Sequence, residues 1–135
     1  MARRSNAMPG PDPRVVPILR LAMLGGAGLL GGVVGFLRSQ GAVPTATEAA
    51  RGLTIAGRVL WGVAIAGCLF LAARVRDERE PAKVLAQSIM GWALAESVAI
   101  FGAVYWYLLG NSQWYFPGLG FLALALVMLP GVRRA

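Results

Sequence analysis

Glu96 is the residue whose type and setting point most directly to chemistry. It is the single acid in the otherwise almost wholly apolar stretch 84–109. At a rise of about 1.5 Å per residue, that stretch as a helix exceeds the ~30 Å hydrocarbon core of a bilayer. A carboxylate at that depth is costly unless it is protonated, paired or turned to a wet cavity. Its neighbours at helical spacing are Trp92, Ala93, Ala99 and Ile100, and a second strip of small residues, Gly91, Ala95, Ala99 and Ala103, runs one step round. Small residues beside a carboxylate suit close packing against protein rather than lipid. Two arginines are placed to answer the charge, Arg58 from one side and Arg20 from the other, each about 10 Å from mid-membrane by the rise per residue. Three states are open to it: a buried ion pair, a protonated carboxyl, or a carboxyl exchanging protons with a cavity. The plainer reading is a structural carboxyl satisfied by an arginine or by a hydroxyl such as that of Ser97.

The residue types that are missing narrow the chemistry further. The chain has no histidine. That removes the usual haem ligand, histidine zinc sites and every Ser-His or Cys-His catalytic pair. Cys68 is the lone cysteine and lies inside an apolar run, so no intrachain disulfide forms and packing is its expected role. No nucleophile–base pair or metal-ligand set can be assembled. The expectation is a protein that is not an enzyme and holds no metal or cofactor.

Composition sets the solvent. Of 135 residues, 57% are hydrophobic and only 14% charged, with a mean hydropathy of +0.63; soluble domains carry about 25% charged residues. One small membrane-embedded domain is expected, with the lipid bilayer as its first partner. The net charge of +7 does not form a basic face. It falls between apolar runs, as topology determinants do, so nucleic acid is not an expected partner.

Taken in order, the elements that must position Glu96 are four. Residues 1–14 are basic, polar and proline-rich, and read as a cytoplasmic tail. The first span covers about 15–37; the basic tail before it also fits a signal peptide, but the apolar run is longer than the 7–15 residues of such a segment. Its Gly28-x3-Gly32 and Gly31-x3-Gly35 spacings put flat surfaces on successive turns, which suits a tight helix–helix interface within the chain or with another subunit. Residues 38–51 form a loop in which Thr45 or Thr47 is placed to cap a short helix leading into the second span. That span covers about 53–75. Residues 74–83 are the densest charge run, with Asp77, Glu78 and Glu80 among Arg74, Arg76, Arg79 and Lys83; a solvated turn explains them better than a catalytic cluster. The third span is 84–109. The fourth covers about 114–132, with a re-entrant segment as the alternative, and 133–135 is a short basic tail.

The fold expected is therefore an all-α integral membrane protein with four transmembrane helices. Ten of the 13 basic residues fall on the side shared by the N-terminus, the 74–83 turn and the C-terminus. The positive-inside rule then puts both termini in the cytoplasm, in the inner membrane of the cell. Tyr105, Trp106, Tyr107, Trp114, Tyr115 and Phe116 supply an aromatic belt at the opposite interface.

Arg79-Glu80-Pro81, followed by Ala93-Leu94-Ala95-Glu96-Ser97-Val98-Ala99-Ile100-Phe101-Gly102-Ala103-Val104, resembles the C-terminal hairpin half of the proteolipid (c) subunits of rotary ATPases. Those proteins carry a polar Arg-x-Pro cytoplasmic loop and then an alanine-rich helix with an essential carboxylate. The resemblance implies that Glu96 is an ion-carrying carboxylate, with Ser97 and Ala99 lining its site. It covers residues 79–104; the first and last spans have no counterpart in a two-helix proteolipid. Two functions are thus expected from different classes. The first is a non-catalytic accessory subunit that packs with other membrane subunits, or with copies of itself, through Gly28, Gly31, Gly32, Gly35, Gly91 and Ala95. The second is proton or cation translocation through Glu96. Replacing Glu96 with Gln separates them.

Overall fold

The computed structural model describes residues 12–41 and 48–132. Those residues form four helices and no strand: α1 (Val15–Ser39), α2 (Ala50–Asp77), α3 (Pro81–Leu109) and α4 (Tyr115–Met128). α1, α2 and α3 are each long and apolar enough to cross a membrane. At 25, 28 and 29 residues they rise through roughly 37 to 43 Å.

Local chemistry sets the ends. Pro81 opens α3 as its first residue, where its missing N–H has no partner to lose and its fixed φ matches the helix. Gly110 closes α3 in the left-handed conformation (φ 75°), which a residue with a Cβ rarely adopts. The turn between α2 and α3 is held by Glu78, whose carboxylate accepts the backbone N–H groups of Arg79 and Glu80 at 3.0 and 3.1 Å. Glu80 pairs with Lys83 at 2.8 Å across an exposed turn. The candidate cap, Thr45 or Thr47, lies outside the described residues, as do residues 1–11 of the N-terminal tail and the 133–135 tail.

α4 is shorter than the sequence suggests. It has 14 residues, a rise of about 21 Å against a ~30 Å core. The cause is Pro130, which pushes Leu129 into extended backbone (φ −92°, ψ 113°) and stops the helix one turn early.

α3 is the hub, packed against each of the other helices. α4 folds back antiparallel on it through very close contacts. A Cβ on Gly118 would stand 3.0 Å from the Ala99 Cα, and one on Gly102 would stand 2.5 Å from the Tyr115 Cα. α2 is also antiparallel to α3, since Gly57 faces Phe101 while Gly67 faces Leu94. α1 is parallel to α3: Gly35 lies under Trp106, and Arg20 lies over Trp92. The start of α1, the 78–80 turn and the end of α4 therefore gather at one end of the bundle.

The core results from this arrangement. Trp92, Ala95, Ala99, Leu122, Ala125, Leu126 and Leu129 form its main cluster, with Val84 and Val75 toward the gathered end. Val34, Ala103 and Tyr115 form a second cluster toward the other end. By contrast, α1 and α2 leave much of their surface bare, with Ile18, Leu21, Leu29 and Val59 all more than 60% exposed. Monomers in water rarely show apolar surface on that scale. A lipid environment accounts for it, because acyl chains are as apolar as leucine.

Candidate functional site

Glu96 lies near the middle of α3, about 20 Å along the helix from either end. Its side chain is partly buried. It has no hydrogen bond and no ion pair to any described residue. Ala82, Ala86, Ile89, Ala93, Ile100 and Val104 share its side of the helix, and all six are exposed. With Glu96 they are spaced three or four residues apart, a repeat that suits a helix seam able to receive another helix. Met90, between Ala86 and Ala93 on the helix surface, is also exposed, and the other faces of the middle of α3 are covered. Ala103 belongs with the α1 contact, Phe101 and Leu94 pack on α2, and Ala99 and Gly102 lie under α4. The most buried helix of the bundle thus keeps one bare stripe, with the only acid of the apolar segments at its centre.

Neither arginine placed by the sequence to answer Glu96 does so. Arg20 turns to the end of α4. Its Nη2 donates to the carbonyls of Leu129 and Pro130 at 3.0 and 2.9 Å, and its guanidinium lies 5.3 Å from the Trp92 ring centre. This is a physical consequence of the early stop of α4: the carbonyls freed by Pro130 need donors, and a cation at a helix C-terminus also complements the helix dipole. Arg58 is exposed on α2 next to Gly57. The α2–α3 register puts it level with Phe101, roughly 7 Å along the bundle from Glu96.

The other sequence candidates are dispersed. The Ser97 hydroxyl donates to the Leu94 carbonyl of its own helix at 2.6 Å. Ala99 is 1% exposed and faces α4. Glu96, Ser97 and Ala99 do not converge on one cavity. Among the packing residues, Gly31 gives room to the Tyr115 ring, Gly35 to Trp106, and Gly91 to Leu129 and Leu71, while Ala95 is fully buried. Gly28 and Gly32 have nothing within 4 Å of where a Cβ would stand. The glycine-rich helix therefore divides into an inward pair that packs within the chain and an outward pair that does not.

The structure also brings together groups that the sequence did not single out. Arg38 donates to the Tyr107 carbonyl at 3.0 Å, and its guanidinium lies against Gly110. α1 thus carries an arginine at each end of its uncharged run, and each one holds the end of another helix. Tyr115 donates to the Ala27 carbonyl at 2.9 Å, Trp92 Nε1 to the Ala125 carbonyl at 3.2 Å, and the Gly131 N–H to the Ser88 hydroxyl at 3.1 Å. The first ties the start of α4 to α1, and the other two lie where α4 gives way to extended chain, Ser88 taking up the freed Gly131 N–H. The one available signal was the placement of Arg20 and Arg38 at the two ends of the apolar run; the partners are set by tertiary register. Around the far end, Tyr105, Trp106, Trp114, Tyr115 and Phe116 stack with ring centres 5.3 to 6.2 Å apart.

Comparisons with protein-family models, curated proteins and solved structures find no match to this chain.

Proposed function

We propose that this protein is a non-catalytic accessory or structural subunit of a larger complex in the inner membrane. In this reading α4, completed by its extended end, makes a fourth crossing, and both termini lie in the cytoplasm. The charge distribution supports that orientation: of the nine described basic residues, the six Arg14, Arg20, Arg74, Arg76, Arg79 and Lys83 belong to the end that gathers the start of α1, the 78–80 turn and the end of α4. The aromatic cluster at the other end fits the opposite interface.

The observation that carries the proposal is the state of Glu96. A mid-membrane carboxylate is retained where something answers it, and nothing within the described chain does. The bare stripe around it is the surface on which another subunit would supply that answer.

A second reading, proteolipid-like proton or cation translocation, draws on one feature: the carboxyl is partly exposed on the outer flank of the bundle, as an exchangeable site requires. Purification of the tagged protein from its native membrane in a gentle detergent, with mass spectrometry of what accompanies it, tests the first reading. Stoichiometric partners are expected; a ring of identical copies, or the protein alone, overturns it. Proton flux into vesicles containing the purified chain tests the second, which predicts that Glu96→Gln abolishes the flux.

A further inference from the structure

We infer that the bare stripe of α3 is a docking seam for a transmembrane helix of another protein, and that this helix presents a basic side chain to Glu96 at mid-membrane. The inference deepens the accessory-subunit reading and rests on it.

Three observations converge on the seam. Ala86, Ile89, Ala93, Ile100 and Val104 are exposed at heptad-like spacing, so a partner helix can seat its side chains between them. Two of the five are alanines, which permits close approach, and such approach is what holds helices together in lipid. The neighbouring helix is also thin at this depth. Because α1 runs parallel to α3 with Arg20 beside Trp92 and Gly35 beside Trp106, Gly25 and Gly26 of α1 are level with Glu96; both are exposed, with nothing near where a Cβ would stand.

Charge complementarity selects the occupant. Glu96 is the only ionisable group on the seam, and it lacks a partner within the described chain. A second copy docked seam to seam in parallel would bring a second carboxylate to the same depth, where like charges repel. The arginines nearest to Glu96 along the described spans are no better placed. Arg20 and Arg38 are bonded to helix-end carbonyls. Arg58 sits on α2 at the level of Phe101, off the seam. A partner helix with a central Arg or Lys answers Glu96 directly.

Model transmembrane peptides test this without knowledge of the native partner. The full chain, carrying Cys68→Ser and a fluorophore on Ser39→Cys, is placed in phosphatidylcholine vesicles. Leu/Ala-rich peptides with a central Arg, Leu or Glu carry the acceptor, and energy transfer reports association. The Arg peptide is expected to bind about 3- to 30-fold more tightly than the Leu peptide, the range for interhelical hydrogen bonds in lipid. Glu96→Gln should remove most of that preference, and Ala93→Trp should weaken both peptides by filling the seam. Equal binding of the Arg, Leu and Glu peptides overturns the inference, as does an Arg preference that survives Glu96→Gln. Dilution-dependent transfer between labelled copies of the chain, abolished by Ala93→Trp, overturns it in favour of self-association. If the Arg preference holds while native purification yields no partner, the seam stands and the accessory-subunit reading fails.

Discussion

Replacing Gly102 with Ala tests the packing that fixes the orientation of α3, and therefore of Glu96. A Cβ at this position would stand 2.5 Å from the Tyr115 Cα and 2.6 Å from its backbone N. Ordinary contacts are near 3.4 Å or more, so the start of α4 must withdraw by roughly 1 Å, and backbone cannot rotate away as a flexible side chain can. Overpacking of this kind costs about 1–3 kcal/mol. The withdrawal also strains the bond from Tyr115 to the Ala27 carbonyl, a type worth about 0.6 kcal/mol or more in membranes. The better helix propensity of Ala returns up to about 1 kcal/mol. The expected net effect is a loss of about 1–2 kcal/mol. Gly120→Ala is the control, since Gly120 lies on the partner helix with nothing within 4 Å of its Cβ position; it should be neutral or slightly stabilising. Unfolding of both variants in mild detergent, followed by tryptophan fluorescence, gives the comparison. If Gly102→Ala is as stable as Gly120→Ala, the close approach of α3 and α4 is refuted.

Three further outcomes are expected. Arg38→Ala should free the Tyr107 carbonyl near the end of α3, lower stability by about 1 kcal/mol for a partly exposed charged hydrogen bond, and speed amide exchange in the final turn of α3. The backbone N–H groups of Glu80 and Arg79, with help from Lys83 and Arg74, hold the Glu78 carboxyl below the ordinary carboxylate range. Its folded form therefore binds a proton less readily than its unfolded form. Its contribution is complete above the ordinary carboxylate pKa and disappears as pH falls through the depressed value; melting followed between about pH 5 and pH 2 should show a shallower slope in Glu78→Gln. Finally, in a Cys68→Ser background, cysteines at Gln40 and Arg79 should react with an impermeant thiol reagent from opposite sides of the membrane. Labelling of both from the same side contradicts the crossing of α2.

Much of the fold was legible in the sequence because helices long and apolar enough to cross a membrane are written in long apolar runs, and α1, α2 and α3 fall where those runs lie. The end of α4 was not, although its cause was in view: Pro130 restricts the residue before it, and the apolar run to Val132 hid that stop. The candidate site was legible in part. Glu96 stands out by type and depth alone. Its surroundings do not, because α3 is apolar on every side and periodicity cannot say which face the other helices cover. Arg20 was assigned to the acid on grounds of charge and reach, whereas the carbonyls released at Leu129 and Pro130 claim it. The glycines of α1 posed the same difficulty. Gly31 and Gly35 pack beneath aromatic rings of α4 and α3, while Gly28 and Gly32, equally spaced, face outward, and only tertiary register distinguishes the two pairs.

The most direct test of Glu96 as the contact point for a membrane partner is quantitative co-purification from native membranes, with wild-type protein and Glu96→Gln compared at equal expression. A stoichiometric membrane protein carrying a basic residue within one of its spans should accompany the wild type and be largely lost from the variant, while the variant remains folded by its tryptophan emission. Equal recovery of the same partner with both proteins, or recovery of the wild type alone, would contradict the role assigned to Glu96.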